Sequence, residues 1–401
     1  MAEGLTSSIE FQMSLLLFVA LAGYLIASRI NQSAVIGEIL VGVLIGPSLL
    51  GWITYTPFVQ SIAHLGAVIL LFVIGMEFKL KDIFNLKYSV IALAGVIVPW
   101  IGGYFTARLF GFEFGSAIFV GTALTATSIA ITANVLREMG KLHTDAAKAI
   151  IGAAVIDDVL SLLALAFSQQ LVSGTVSAGS ITIIIVKAVG FLVIGSYVGY
   201  KFLSRLVAKL DNTHIAAKFP EFVFIFAMMI AFFYAMMAEL INLSAIVGSF
   251  IAGVSLGGVA LRRSKDYRVG AEYLHIIFAS IFFVSLGVLA DFKALTPHVI
   301  WFLIVLTVVA VLTKVIGCSI PAKLQSMSNK DSIVIGFGMS PRGEVAMIVA
   351  LLGLNAKLIG QDIYVSLVLM SLLTTIITPI VLRNWLYKKS FVDSFKKERV
   401  A

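Results

Sequence analysis

Apolar residues run along this chain in long blocks, and polar residues are confined to short gaps between them. Thirteen blocks are long enough to cross about 30 Å of hydrocarbon. They lie near 11–28, 33–50, 58–77, 88–107, 115–136, 146–170, 179–203, 220–241, 244–261, 272–290, 297–322, 331–353 and 361–386. Backbone groups in lipid must find their partners within the segment, so each block is expected to be helical. The expected fold is an all-α polytopic membrane protein with about 13 transmembrane helices.

Composition supports that reading. Of 401 residues, 60% are hydrophobic and 12% charged, against about 25% charged in soluble domains. A soluble enzyme with an anchor is excluded. The net charge of +8 could suggest a nucleic-acid partner. The basic residues lie in short loops, however, so the charge reports topology and no nucleic acid is expected. With the N-terminus outside, inner segments carry 23 of the 29 Lys and Arg, and outer segments carry three. Lys187, Lys314 and Arg342 fall inside spans. The bias predicts a multi-pass protein of the cell membrane, N-terminus outside and C-terminus cytoplasmic. Cys318 is the single cysteine, which excludes an intrachain disulfide and a CxxC metal site. The first block follows a stretch without Lys or Arg, unlike the basic start of a signal peptide.

An internal repeat sits at an offset of 211. Asn31-Gln-Ser-Ala-Val-Ile-Gly37 resembles Asn242-Leu-Ser-Ala-Ile-Val-Gly248, and the register continues through Gly42/Gly253, Val43/Val254 and Gly46/Gly257. His64/His275 and Phe72/Phe283 share it. The copies begin at spans 2 and 9. An odd separation reverses the direction of crossing, so the repeats are inverted, as in many secondary transporters.

Two adjacent aspartates, Asp157 and Asp158, stand in the apolar run AIIGAAVIDDVLSLLALAF. Carboxylates at such depth cost roughly 2.5–3.5 kcal/mol each on insertion scales, and a neighbouring pair also repels. A cation or proton site is the expectation. Span 5 reads GTALTATSIAITANVL, with Thr122, Thr125, Thr127, Ser128 and Thr132. Adding 211 to Thr127 reaches 338, inside GFGMSPRGEVAMIV of span 12. Gly336, Gly338, Pro341 and Gly343 there tolerate irregular backbone or lack an amide donor. Both spans are therefore expected to break at equivalent places, where hydroxyls and freed carbonyls can ligate a cation. Asp157 lies eight residues from Ala149, and Lys314 six from Ile320. These positions are about 12 and 9 Å deep at 1.5 Å per residue, so the two side chains can meet. Arg342 and Glu344 are expected as counter-charges for the half-helix ends. Glu38, Glu77, Glu239, Lys187 and the histidines receive no site role.

Together TALTATSIAIT, AAVIDDVLSLL, the lysine of span 11 and GMSPRGEVAMIV resemble the monovalent cation:proton antiporter-2 family, the NapA-type sodium/proton antiporters. NhaA is a more distant relative. The resemblance covers essentially the whole membrane domain. It implies a dimerisation domain of helices 1–3 (residues 1–87) and 8–10 (211–296). It implies a core transport domain of helices 4–6 (88–172) and 11–13 (297–388), a linker helix 7 (173–210) and a cytoplasmic tail (389–401). By the same resemblance Asp158 is the cation-binding carboxylate, Asp157 pairs with Lys314, and Thr127 and Ser128 mark the crossing of the broken helices. The Asp-Asp pair is similar to electrogenic members; electroneutral relatives carry Asn-Asp and potassium-efflux relatives Gln-Asp. Unlike NhaA, span 5 has no acidic residue at its break.

The expected function is secondary active exchange of sodium or lithium for protons, with the core domain moving against the dimer domain. The implied protein is a homodimer in lipid without cofactors, whose partners are monovalent cations and protons. Asp158, Asp157, Thr127 and Ser128 would hold the sodium ion. A potassium/proton antiporter of the same family and an organic-anion/sodium symporter of the same fold remain alternatives. The symporter would not need the Asp-Asp/Lys set. A polyprenyl transferase would need a second DDxxD motif, and an intramembrane aspartyl protease YD and GxGD; none of these is present. The expectation is therefore a carrier and not an enzyme.

Overall fold

The computed structural model describes residues 8–80, 85–174, 178–219, 221–259, 267–290, 292 and 295–387. The expected tail at 389–401 lies outside the described residues. The chain begins with α1 (Ile9–Arg29), α2 (Ala34–Ile45), α3 (Pro57–Gly75) and α4 (Leu86–Leu109). Next come α5 (Phe114–Ala123), α6 (Ile129–Glu138), α7 (Asp145–Ser173) and α8 (Ala178–Val198). A π-helical turn, Gly199–Leu203, joins α8 to α9 (Ser204–Asp211), followed by α10 (His214–Lys218), α11 (Phe222–Leu240) and α12 (Ala245–Leu256). The last helices are α13 (Tyr267–Val288), α14 (Pro297–Leu324), α15 (Asn329–Gly338), α16 (Glu344–Asn355) and α17 (Gln361–Val381).

Nine helical stretches among the described residues are long and apolar enough to cross a bilayer. The remaining four expected spans differ from a simple rod. Those at 115–136 and 331–353 each consist of two short helices, α5/α6 and α15/α16. Those at 33–50 and 244–261 are helical only over the 12 residues of α2 and of α12. Twelve residues span about 18 Å, well short of the expected length. The apolar run continues past the helix end in both cases, but the backbone does not. Gly46 is extended (φ −68°, ψ 178°), as the residue before a proline prefers to be, and Pro47 follows it. α12 stops at Gly257, which is followed by Gly258, and glycine is a poor helix former.

The inverted repeat is visible in the helix boundaries. Adding 211 to the bounds of α2 yields those of α12. Each is preceded by the same turn. Asn31 and Asn242 are left-handed, at φ 53° and 65°. The next amide donates five residues back, Gln32 N to Ala27 O and Leu243 N to Ala238 O, both at 2.9 Å. That is the bonding of a Schellman stop, where asparagine is the usual substitute for glycine. Ser33 and Ser244 then cap the new helices. The Ser244 hydroxyl accepts from Ile246 N at 3.2 Å, whereas the Ser33 hydroxyl donates to Glu138 Oε2 at 2.7 Å. Further along the register changes. α14 has 28 residues where α4 has 24, so equivalent positions beyond it differ by 215.

By contacts the chain forms two compact units. One comprises Met1–Leu17, Tyr55–Asn85 and Leu162–Ser285; the other comprises Phe18–Thr54, Leu86–Ser161 and Leu286–Ala401. In the first unit every residue of α12 is buried. α12 packs on α3 where two glycines meet. A Cβ at Gly253 would collide with the Phe72 carbonyl and come within 3.1 Å of Gly75 Cα. Small residues let helix backbones approach this closely in a membrane. Overpacking a tight contact typically costs about 1–3 kcal/mol. Gly253→Ala should therefore lower the thermal stability of the detergent-purified protein by that amount. Gly258→Ala, with open space around it, should leave the melting temperature unchanged.

Candidate functional site

The site is built where two helices stop and restart. α5 ends at Ala123, residues 124–128 are not helical, and α6 begins at Ile129. α15 ends at Gly338, residues 339–343 are not helical, and α16 begins at Glu344. The longer α14 moves the second break to an offset of 215 from the first, so Ser128 corresponds to Gly343 and not to a residue near 339. The two breaks bond directly to each other. Ser128 N donates to Pro341 O at 2.9 Å. Thr127 Oγ1 donates to Met339 O at 3.2 Å and Thr132 Oγ1 to Gly338 O at 2.6 Å. These bonds satisfy carbonyls that an unbroken α15/α16 helix would have used internally. Thr122 and Thr125 instead donate locally, to Ile118 O and Thr122 O. Only part of the hydroxyl set thus belongs to the crossing.

At the first break lies a closed ionic contact. Lys314 on α14 and Asp157 on α7 are both 0% exposed, and Lys314 Nζ lies 2.8 Å from Asp157 Oδ1. The same ammonium donates to Thr125 O and Gly95 O, each at 2.7 Å. All three of its N–H bonds therefore have acceptors. Asp157 Oδ2 accepts no hydrogen bond. Asp158, the next residue of α7, is half-buried, as is Thr127, while Ser128 is buried.

Arg342 occupies the second break and is fully buried. Its guanidinium donates to Ser340 O at 2.6 Å and Ala310 O at 3.3 Å. A fixed cation thus sits against the Ser340 carbonyl just past the C-terminal end of α15, where the helix dipole is negative, and against the Ala310 carbonyl of α14. Glu344 opens α16; its side chain lies outside the described residues. Three threonines of α17, not among the expected site residues, hold this break in place. Thr374 Oγ1 accepts from Arg342 N at 3.1 Å, Thr375 Oγ1 donates to Arg342 O at 2.9 Å, and Thr378 Oγ1 donates to Phe337 O at 3.3 Å. Their spacing in TTIITP, with 374 and 378 one helical turn apart, was the available signal. Lys187 is exposed on α8. Glu239 is exposed and lies 3.1 Å from His64.

The arrangement offers oxygen donors and one buried counter-charge, Lys314. Asp157, Asp158, Thr127 and Ser128 carry side-chain oxygens at or beside the first break, and transporters coordinate sodium or protons with unwound carbonyls at broken helices. Among the described residues no group of three or more His, Cys, Asp or Glu is gathered as for a resident metal.

A family model described as sodium/hydrogen exchanger, transmembrane, matches residues 15–388. The Na(+)/H(+)-K(+) antiporter GerN of Bacillus cereus is 35% identical over 376 residues, covering 93% of this chain and 95% of its own length. The Na(+)/H(+) antiporter of Enterococcus hirae is 32% identical over 378 residues, covering 93% and 97%. Among solved structures, the sodium proton antiporter MjNhaP1 from Methanocaldococcus jannaschii matches with a TM-score of 0.68. That match covers 93% of this chain and 95% of the other at 16% identity. Such a likeness establishes the antiporter fold, in agreement with the all-α expectation.

Removing one partner of a buried ion pair typically costs about 3–5 kcal/mol, because the other charge stays behind. Lys314→Ala and Asp157→Ala should each destabilise the protein by that order. The double variant should be much less unstable than their sum. Thermal unfolding of all four proteins in one detergent measures the cycle, and additive losses would mean that the pair contributes nothing as a pair.

Proposed function

The chain belongs to the sodium/hydrogen exchanger family, and we propose that it is a secondary active antiporter exchanging sodium or lithium for protons. The names of the two similar relatives support sodium as the cation. The observation that carries the mechanism is the sealed Lys314–Asp157 contact at the crossing of two broken helices, with half-buried Asp158 beside it. Asp158 takes either a cation or a proton. Asp157 Oδ2, Thr127, Ser128 and break carbonyls complete the cation's oxygen shell. When the cation leaves, protonation of Asp158 restores near-neutrality and lets the core domain carry the site across the membrane. No cofactor takes part in this scheme.

Three groups at the site can change protonation: Asp157, Asp158 and Lys314. Cation binding that draws Asp157 away from Lys314 also frees the lysine's proton. Two protons then move for one cation, and transport is electrogenic. The GerN name also includes potassium, so potassium/proton exchange at the same site is the second reading. For the assembly, helices 1–3 and 8–10 are assigned to a dimerisation domain and helices 4–6 and 11–13 to the core. Its support is that α4–α6 and α14–α17 fall within one compact unit, although that unit also takes in Phe18–Thr54, which the assignment gives to the dimerisation domain. The proposed form is a homodimer in the cell membrane, N-terminus outside, as the lysine and arginine bias indicates.

Asp158→Asn should abolish cation-dependent proton movement in proteoliposomes while leaving thermal stability close to that of the unsubstituted protein. Sodium, lithium and potassium are each tested against a pH gradient. Robust sodium/proton exchange by the variant would remove Asp158 from the mechanism. Separately, a sodium gradient should displace charge in solid-supported-membrane recordings of the unsubstituted protein. Proton flux without charge displacement would establish one-for-one exchange.

A further inference from the structure

In an α-helix each carbonyl accepts from the N–H four residues further on. Within α4 one such donor is missing, because Pro99 lies inside the helix and has no N–H. The carbonyl deprived of its helical partner is that of Gly95. It is this carbonyl that receives Lys314 Nζ, at 2.7 Å. Gly95 is also what makes the approach feasible. A Cβ there would stand 2.7 Å from Cys318 Sγ and 3.8 Å from Lys314 Cε and Nζ. On the facing helix a Cβ at Gly317 would stand 2.8 Å from Ala94 O. α4 and α14 thus meet backbone to backbone one turn from the lysine. Buried carbonyls need a donor, and a buried ammonium needs three acceptors. Each vacancy fills the other.

We propose that Pro99 and Gly95 are positioning residues for ion exchange: Pro99 vacates a carbonyl inside α4, and Gly95 leaves room for Cys318, so that α14 lies close enough for its Lys314 ammonium to reach that carbonyl. Lys314 is thereby held against Asp157 with its third acceptor supplied by helix backbone. The transport consequence rests on the antiport reading above; the structural coupling between positions 99 and 314 does not. The charged and titratable groups acting on Lys314 are Asp157 on α7, Arg342 at the second break and Cys318 on its own helix. α4 and the first break meet its ammonium with the carbonyls of Gly95 and Thr125.

Pro99→Ala returns an N–H that competes for the Gly95 carbonyl. Loosening the hold on the Lys314 ammonium should slow sodium/proton exchange about tenfold, the size of one weakened charged hydrogen bond. Replacing Pro99 by lactic acid provides the decisive control. It has the side chain of alanine but an ester oxygen in place of the N–H, and it should keep the original rate. An unchanged Pro99→Ala rate, or equal losses in both variants, would overturn the proposal. The second readout needs no transport. In Lys314→Ala the Gly95 carbonyl has lost its donor, and Pro99→Ala supplies a new one. Pro99→Ala should therefore raise the melting temperature of Lys314→Ala by more than that of the unsubstituted protein. Equal changes in the two backgrounds would overturn the coupling. Absence of any exchange by the unsubstituted protein would instead overturn the antiport reading and leave this thermal comparison to decide.

Discussion

An ammonium group sealed from water is tolerated only if each of its N–H bonds meets an acceptor and its charge meets a counter-charge. Lys314 satisfies both conditions with three different pieces of the fold. Asp157 supplies the charge from α7, Thr125 supplies a carbonyl from the first break, and Gly95 supplies one from α4. The Thr125 carbonyl is available because α5 has just ended and the chain is no longer helical. One side chain on α14 therefore ties together α4, α7 and the unwound backbone. Conversely, the unwound backbone is tolerable in an apolar surrounding because buried donors are present to meet it.

The second break solves the same problem with a different cation. Thr125 and Ser340 are equivalent under the 215-residue offset, and each carbonyl just past a half-helix C-terminus accepts from a buried basic side chain. At the first break the donor is lysine, reaching in from a neighbouring helix. At the second it is arginine, carried by the break itself. Arginine stays charged under all ordinary conditions, whereas lysine can release its proton when desolvated. The duplicated scaffold thus meets equivalent carbonyls with two different basic groups. The Ser128 amide, bonded to the Pro341 carbonyl, joins the two halves between these charges.

Much of this was legible before any coordinates. The aspartates, the depth match between Asp157 and Lys314, and the two hydroxyl- or glycine-rich breaks are features of residue type and spacing. The repeat offset located α12 from α2 to the residue. It failed by four residues at the second break, because one extra helical turn in α14 leaves no mark in an unbroken apolar run. The short extent of α2 and α12 was hidden for the same reason: hydropathy continues where the backbone has already turned at Gly46-Pro47 and Gly257-Gly258. Pro99 could have been read as the source of a free carbonyl, but the sequence does not say which donor takes it. Asp157 and Asp158 look alike as neighbours in a chain. A helix separates successive residues by about 100°, and here that rotation leaves one sealed and the other half-buried.

That difference in exposure has a consequence for ionic strength. Mobile ions screen charges in contact with solvent over about 8 Å at physiological salt, and they screen sealed pairs much less. The attraction between Lys314 and Asp157 is thus insulated from the composition of the medium. Asp158 is only partly buried and is open to such screening wherever solvent reaches it. Neighbouring carboxylates on one helix therefore differ in how far salt can reach them: one is held among the protein's own fixed charges and dipoles, and the other is not sealed.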